Sequence, residues 1–223
     1  MMNDRPNANT STVDGENVQA EAIVQNMPSV CYKKGLYTMS EHAQIELYVT
    51  VGSDQQNASI EQLLASAPID NIVKQTLNAV HITQPVMLTL LITDEEGIRD
   101  MNKQYRQQDK PTDVLSFPLL EHPLVTAPIE QLWLAPEANE TTPQVPAFVT
   151  PPDMITNLGD IVMSWPTLIQ QATETGHTPT YELLYLLSHG VLHLVGYDDH
   201  SEAGYQAMVD IQQSVLQLVG EKA

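Results

Sequence analysis

His189 and His193 stand four residues apart in the apolar run His189-Gly190-Val191-Leu192-His193-Leu194-Val195, and Gly196-Tyr197-Asp198-Asp199-His200 follows directly. On a helix, positions i and i+4 share one face a single turn apart, so both imidazoles reach one ion. Gly196 ends the helix, and the turn after it returns a third ligand to the same point. Three protein ligands with a fourth position open describe a catalytic zinc centre, one ion per chain, rather than a structural one. A single buried histidine is ordinarily a core residue with satisfied hydrogen bonds. Several on one stripe would leave unpaired polar rings in an apolar setting, and coordination removes that cost. Gly190 stands where the H-E-x-x-H helix of zinc peptidases carries its general base. The run therefore indicates a zinc hydrolase and argues against an ordinary metalloprotease. A glycine inside a helix also lowers helix propensity, which points to close packing or access at that position.

These residues need a fold around them. At 223 residues with 42% apolar content, the chain can build one good-sized domain. No apolar run approaches the roughly 20 residues of a membrane helix. Met1 to Asn26 is polar and lacks the apolar core of a signal peptide, so no membrane partner and a cytoplasmic location are expected. The lone Cys31 permits no internal disulfide and reads as a bystander thiol. The net charge of −19 should repel nucleic acid at long range. The cations are unevenly spread. Arg99, Lys103, Arg106 and Lys110 place four of the nine Lys and Arg in twelve residues, and Pro111 to Glu221 contains none. Any phosphate contact must draw on that segment, which otherwise reads as a solvated helix face.

Residues 1 to about 40 lack periodicity and read as a poorly ordered tail ahead of a single domain over 41–223. Ile45 to Val51 alternates as a half-buried strand, and the apolar positions from Ile60 to Val80 suggest helix with a break at Pro68. Pro85 to Thr93 is a continuous apolar strand of central type. Thr93 or Asp94 caps a helix containing Ile98, Met101 and Tyr105, and Asp113 to Phe117 is a short strand stopped by Pro118. The Pro-rich insertion spans 118–156, with Leu132-Trp133-Leu134 as a stretch that folds back onto the surface. Leu158 to Met163 resumes as a strand. Thr178 and Pro179 open a largely buried helix to about Val195, and Ser201 begins a last one with Met208, Ile211, Val215 and Leu218 on one side. The expected architecture is α/β (α+β): three layers, a small mixed sheet flanked by helices, and a zincin-like metal helix.

The histidine run resembles the H-G-x-L-H-L-x-G-Y-D-H pattern of the bacterial YbeY family of rRNA maturation endoribonucleases. Asn102-x-x-Tyr105-Arg106-x-x-Asp109, Thr112 to Pro118 and Leu158-Gly159-Asp160-Ile161 follow the family's order, so the resemblance covers roughly 45–118 and 157–219. One position departs. The family has a single Asp before the third His, whereas this chain has Asp198-Asp199-His200. Either a bulge restores His200 to the metal, or Asp199 holds the usual register as a carboxylate ligand; His200 is favoured, because imidazole suits zinc.

The resemblance implies single-strand-specific RNA cleavage in rRNA maturation and ribosome quality control, with single-stranded rRNA, the small ribosomal subunit and its assembly proteins as partners. A zinc ion would polarise a phosphoryl oxygen and lower the pKa of a coordinated water to near 7. Attack on phosphate and deprotonation of a ribose 2′-hydroxyl both remain open. Arg106 matches the family's prominent arginine and is assigned to the scissile phosphate, the alternative being a salt bridge to Asp109 or Asp113. Ser116 either donates to a phosphate oxygen or points at a neighbour. Asp160 is a supporting residue of the site or a strand-end cap. Glu182 either orients a ligand ring or is an exposed first-turn carboxylate, the latter being preferred. Trp133, Trp165 and the tyrosines are core residues by default, with base stacking as the alternative. Competing readings are a zinc hydrolase of another substrate class and a non-catalytic ribosome-assembly factor with structural zinc.

Overall fold

The computed structural model describes residues 33–39, 43–52, 54–134 and 155–221. Its strands are β1 (Lys33–Met39), β2 (Ala43–Thr50), β3 (Val86–Thr93), β4 (Val114–Pro118) and β5 (Thr156–Ser164). Its helices are α1 (Asp54–Ser66), α2 (Ile69–Ala79), α3 (Glu95–Arg106), α4 (Trp165–Thr175), α5 (Pro179–Val195) and α6 (Glu202–Val219). The strands form one sheet in the order β1-β2-β3-β5-β4. β2, β3 and β5 run parallel, while β1 and β4 add antiparallel edges, so the sheet is mixed as expected.

Two elements differ from the sequence reading. β1 lies inside the segment expected to be an irregular tail. It pairs with β2 through a register shift between Lys34 and Tyr37, and the Lys33-Lys34-Gly35 start shows no alternation. α4 was not anticipated. It buries only Leu168 and Ala172, one turn apart, so its apolar stripe is minimal, although Ser164 caps it and Gly176 ends it in the left-handed region. Cys31 and most of the expected tail fall outside the described residues, as do 135–154 of the Pro-rich insertion.

Strand alternation separates two packing faces. Leu88, Leu90, Ile161 and Met163 join the main apolar cluster with Ile72, Val73, Leu77, Leu183, Leu187, Val191 and Val215 of the helices α2, α5 and α6. Leu91, Leu115 and Val162 are also buried but lie outside that cluster, as do Ile98 and Met101 of α3 and Ala172 of α4. The expected three layers result: a large helical layer, the sheet, and a smaller layer that includes α3, with α4 reaching the main cluster through Leu168. Gly190 explains the close approach of α5 to the sheet, since a Cβ there would lie 2.8 and 2.9 Å from Ile161 side-chain carbons. Overlap of that size forces a shift in a packed interior.

Helix ends follow local chemistry. Asp94, rather than Thr93, caps α3 by accepting from the Gly97 amide at 2.8 Å. Thr178 accepts from the Tyr181 amide at 3.0 Å with Pro179 in the first turn of α5, and Ser201 accepts from the Gly204 amide at 2.9 Å at the start of α6. No helix among the described residues is long and apolar enough to cross a membrane.

Candidate metal centre

The two histidines of α5 lie on one stripe at its C-terminal end, partly exposed, with their Nε2 atoms 3.0 Å apart. Each ring is held through its other nitrogen. His193 Nδ1 donates to the Tyr197 carbonyl at 3.0 Å. His189 Nδ1 faces the Gln212 Oε1 at 3.5 Å, and the Gln212 amide nitrogen donates to the Tyr185 carbonyl at 3.2 Å. Burial, reinforced by the neighbouring His189, pushes the His193 pKa down to about 4, so that ring is neutral at physiological pH. With both Nδ1 atoms engaged as donors, both Nε2 lone pairs point at the same place. Two acceptors cannot bond to each other; a cation between them resolves the clash. Two ligands of one tetrahedral zinc sit about 3.3 Å apart, close to the observed separation.

The third position shows a difference from the expectation. Asp199 Oδ2 lies 3.8 Å from His189 Nε2 and 3.9 Å from His193 Nε2, so these three groups form one possible ligand set. The favoured His200 does not join this set; with Asp198 and Asp199 it forms a second possible ligand group at the rim. Its side chain is 80% exposed, and its Nδ1 is bonded to the Asp198 carboxylate, which raises its pKa. The loop geometry is the reason. Gly196 adopts φ +130, Tyr197 N–H bonds to Leu192 O at 2.9 Å, and Asp198 N–H bonds to Gln131 O at 2.9 Å. Leu132 and Tyr197 form a β-bridge. With 197 and 198 held this way, residue 199 turns inward and residue 200 outward. The donor set, two imidazoles and a carboxylate, suits a divalent metal such as zinc.

A cleft of about 840 Å³ opens beside these ligands, and Arg106, Ser116, Trp133 and His200 also line it. Arg106 ends α3. Gln107 follows in the left-handed region, and buried Asn102 ties the turn by donating to the Lys110 carbonyl at 2.8 Å. Both salt-bridge partners considered for Arg106 are otherwise engaged. Asp109 binds Arg99 at 2.7 Å and Lys103 at 2.8 Å. Asp113 accepts from the Val114 amide at 2.8 Å and from Gln171 at 3.0 Å. Among the described residues no ion pair to Arg106 is formed, and its side chain is exposed at the cleft. Ser116 pairs with Ile161 in the β4–β5 register, so it faces the α5 side of the sheet, and its buried Oγ has no hydrogen-bond partner among the described residues.

Two other carboxylates fall elsewhere. Glu182 is in the first turn of α5 but is buried rather than exposed, and it pairs with His177 at 3.3 Å instead of a ligand ring. Asp160 is buried beside Thr89 and away from the histidines; burial raises its pKa, and its Oδ2 has no partner among the described residues. Trp165 packs against the main core. The sequence reading missed Gln212. Its signal was a fully buried amide on the apolar side of α6, a position that demands a partner.

The model of the family described as Endoribonuclease YbeY matches residues 50–220. The chain belongs to the YbeY family. An Endoribonuclease YbeY of Dehalococcoides mccartyi (strain ATCC BAA-2100) is 38% identical over 161 residues, covering 72% of this chain and 91% of its own. One from Roseiflexus sp. (strain RS-1) is 38% identical over 156 residues, covering 70% of this chain and 84% of its own. A solution structure from Thermotoga maritima aligns over 78% of this chain and 88% of its own, with 25% identity and a TM-score of 0.43. The YbeY family match spans the metal helix, the Arg106 turn and β4 together.

Proposed function

We propose that this chain is a zinc-dependent endoribonuclease specific for single strands, acting in rRNA maturation and ribosome quality control. The observation that carries this reading is the convergence of His189, His193 and Asp199 beside a free Arg106 in one cleft. His189, His193 and Asp199 would hold the ion, with His200 at the rim of the cleft. When bound, zinc supplies a Lewis acid for a phosphoryl oxygen and acidifies a water ligand. The chain's own residues do the rest. Arg106 binds the scissile phosphate, where its planar donors match two oxygens and the charge that develops in the transition state. Ser116 donates its buried hydroxyl to a phosphate oxygen. Gln212 and the Tyr197 carbonyl hold the ligand rings in register.

The charge of −19 makes the long-range field repulsive to RNA. The substrate is accordingly delivered by the small ribosomal subunit and its assembly proteins in the cytoplasm, and naked RNA binds weakly with steep salt dependence. The test is cleavage of single-stranded RNA with and without chelator, beside metal analysis of untagged protein. Cleavage lost on chelation and in folded His193→Ala, and cut by roughly 10²–10³-fold in folded Arg106→Ala, supports the reading. Full activity of Arg106→Ala together with unfolding of His193→Ala would favour a structural metal in an assembly factor.

A further inference from the structure

The first part of the Pro-rich insertion is fastened to the end of α5. Leu124 N–H bonds to Val195 O at 2.9 Å, and Trp133 N–H bonds to Gly196 O at 3.0 Å. The Trp133 indole N–H donates to the His193 carbonyl at 3.0 Å. Trp133 is thus pinned by both its backbone and its ring edge. It is only partly buried, and it lines the cleft with His193, Arg106 and Ser116. Because the indole has a single polar atom and that atom is taken, any part of the ring facing the cleft offers only carbon and π surface.

The charge distribution gives that surface a task. Arg99 and Lys103 are engaged by Asp109, and no Lys or Arg occurs from Pro111 to Glu221. Among the described residues lining the cleft, Arg106 is the one Lys or Arg, so ionic attraction there rests on it and on the metal. A polyanion held by so few cations needs a contribution that salt does not screen. Base–aromatic stacking provides it, and single strands expose bases for it. We propose that Trp133 is a nucleobase platform, stacking the base next to the phosphate held by Arg106. The inference rests on the ribonuclease reading. The hydrogen bond to a metal ligand's own carbonyl fixes where the platform stands relative to the reacting phosphate. Stacking tolerates every base, with at most a modest preference set by stacking strength.

The test compares Trp133→Leu and Trp133→Phe with wild type in metal content, melting temperature and RNA cleavage. Trp133→Leu should raise KM roughly tenfold with kcat unchanged, because a contact made equally in ground and transition states is lost. Trp133→Phe keeps an aromatic face and should lose less than half of that effect, with zinc retained in both. Plots of log KM against log salt should run parallel for Trp133→Leu and wild type, and be shallower for Arg106→Ala. In Trp165→Phe protein, where Trp133 is the remaining tryptophan, a single-stranded 2′-O-methyl oligonucleotide should quench emission. Unchanged KM in Trp133→Leu, or no quenching by an oligonucleotide that competes for cleavage, overturns the platform while leaving the nuclease reading intact. Equal KM effects in the two variants with loss of zinc would make Trp133 a positioning residue for His193 and also overturn it. Failure of the wild type to bind or cut single-stranded RNA would overturn the nuclease reading first.

Discussion

The two helices that wall the cleft are built on opposite terms. α5 presents His189 and His193 from an almost wholly buried helix, and each ring is held by a bond through Nδ1. α3 presents Arg106 from an exposed end, while its neighbours Arg99 and Lys103 are both tied to Asp109. The two histidines are held before anything binds. Arg106 has no ion-pair partner among the described residues to fix it. Pre-organisation serves the metal, where small errors in geometry cost affinity, and freedom suits a guanidinium that must follow a flexible chain.

The comparison breaks most completely at the ligands. His193→Ala and Asp199→Ala should each lose the zinc and fall to the activity of chelated protein, while His200→Ala keeps one zinc per chain; metal analysis reads all three. Zinc retained in Asp199→Ala and lost in His200→Ala would reverse the assignment of the third ligand. On the other wall, Arg106→Ala should keep its zinc and fold yet lose roughly 10²–10³-fold in kcat, the usual scale for one transition-state charge contact.

The buried side also carries a pH signature. In metal-stripped protein His193 titrates near pH 4 when folded and near 6.5 when unfolded. Between those values the unfolded chain holds the extra proton, so stability should be flat above about pH 6.5 and fall as pH drops toward about 4. The ceiling on that loss is about 3 kcal/mol, and urea melts across this range would show it. Gln212→Ala should weaken zinc binding by roughly 10–100-fold, the range for a group that orients a ligand, as measured by competition with a chelating dye. Gly190→Ala should cost roughly 1–3 kcal/mol by overpacking against Ile161, measured as a shift in the urea midpoint without a change in slope.

What could be read ahead of the structure follows from how local each signal was. The histidine stripe was visible because polar rings in an apolar helix contradict their surroundings. Asp94, Thr178 and Ser201 were visible as caps because capping is settled within four residues. That Asp199 rather than His200 faces the histidine pair was not, since the turn that places it is tied to Gln131 and Leu132, far away in sequence. The freedom of Arg106 was likewise hidden, because only the folded turn shows Asp109 reaching back to Arg99. β1 owes its place to backbone pairing with β2, and α4 to two buried residues, neither of which leaves a periodic trace.

The contact between Gly190 and Ile161 also bears on what this scaffold can become. A one-step swap to glutamate at that position, the shortest evolutionary route to a peptide-cleaving enzyme, would drive a side chain into the central sheet. The lineage is steered away from that chemistry by architecture, before selection on substrate is even considered. New activities on this frame would have to arise from the rim of the cleft rather than from its metal-bearing helix.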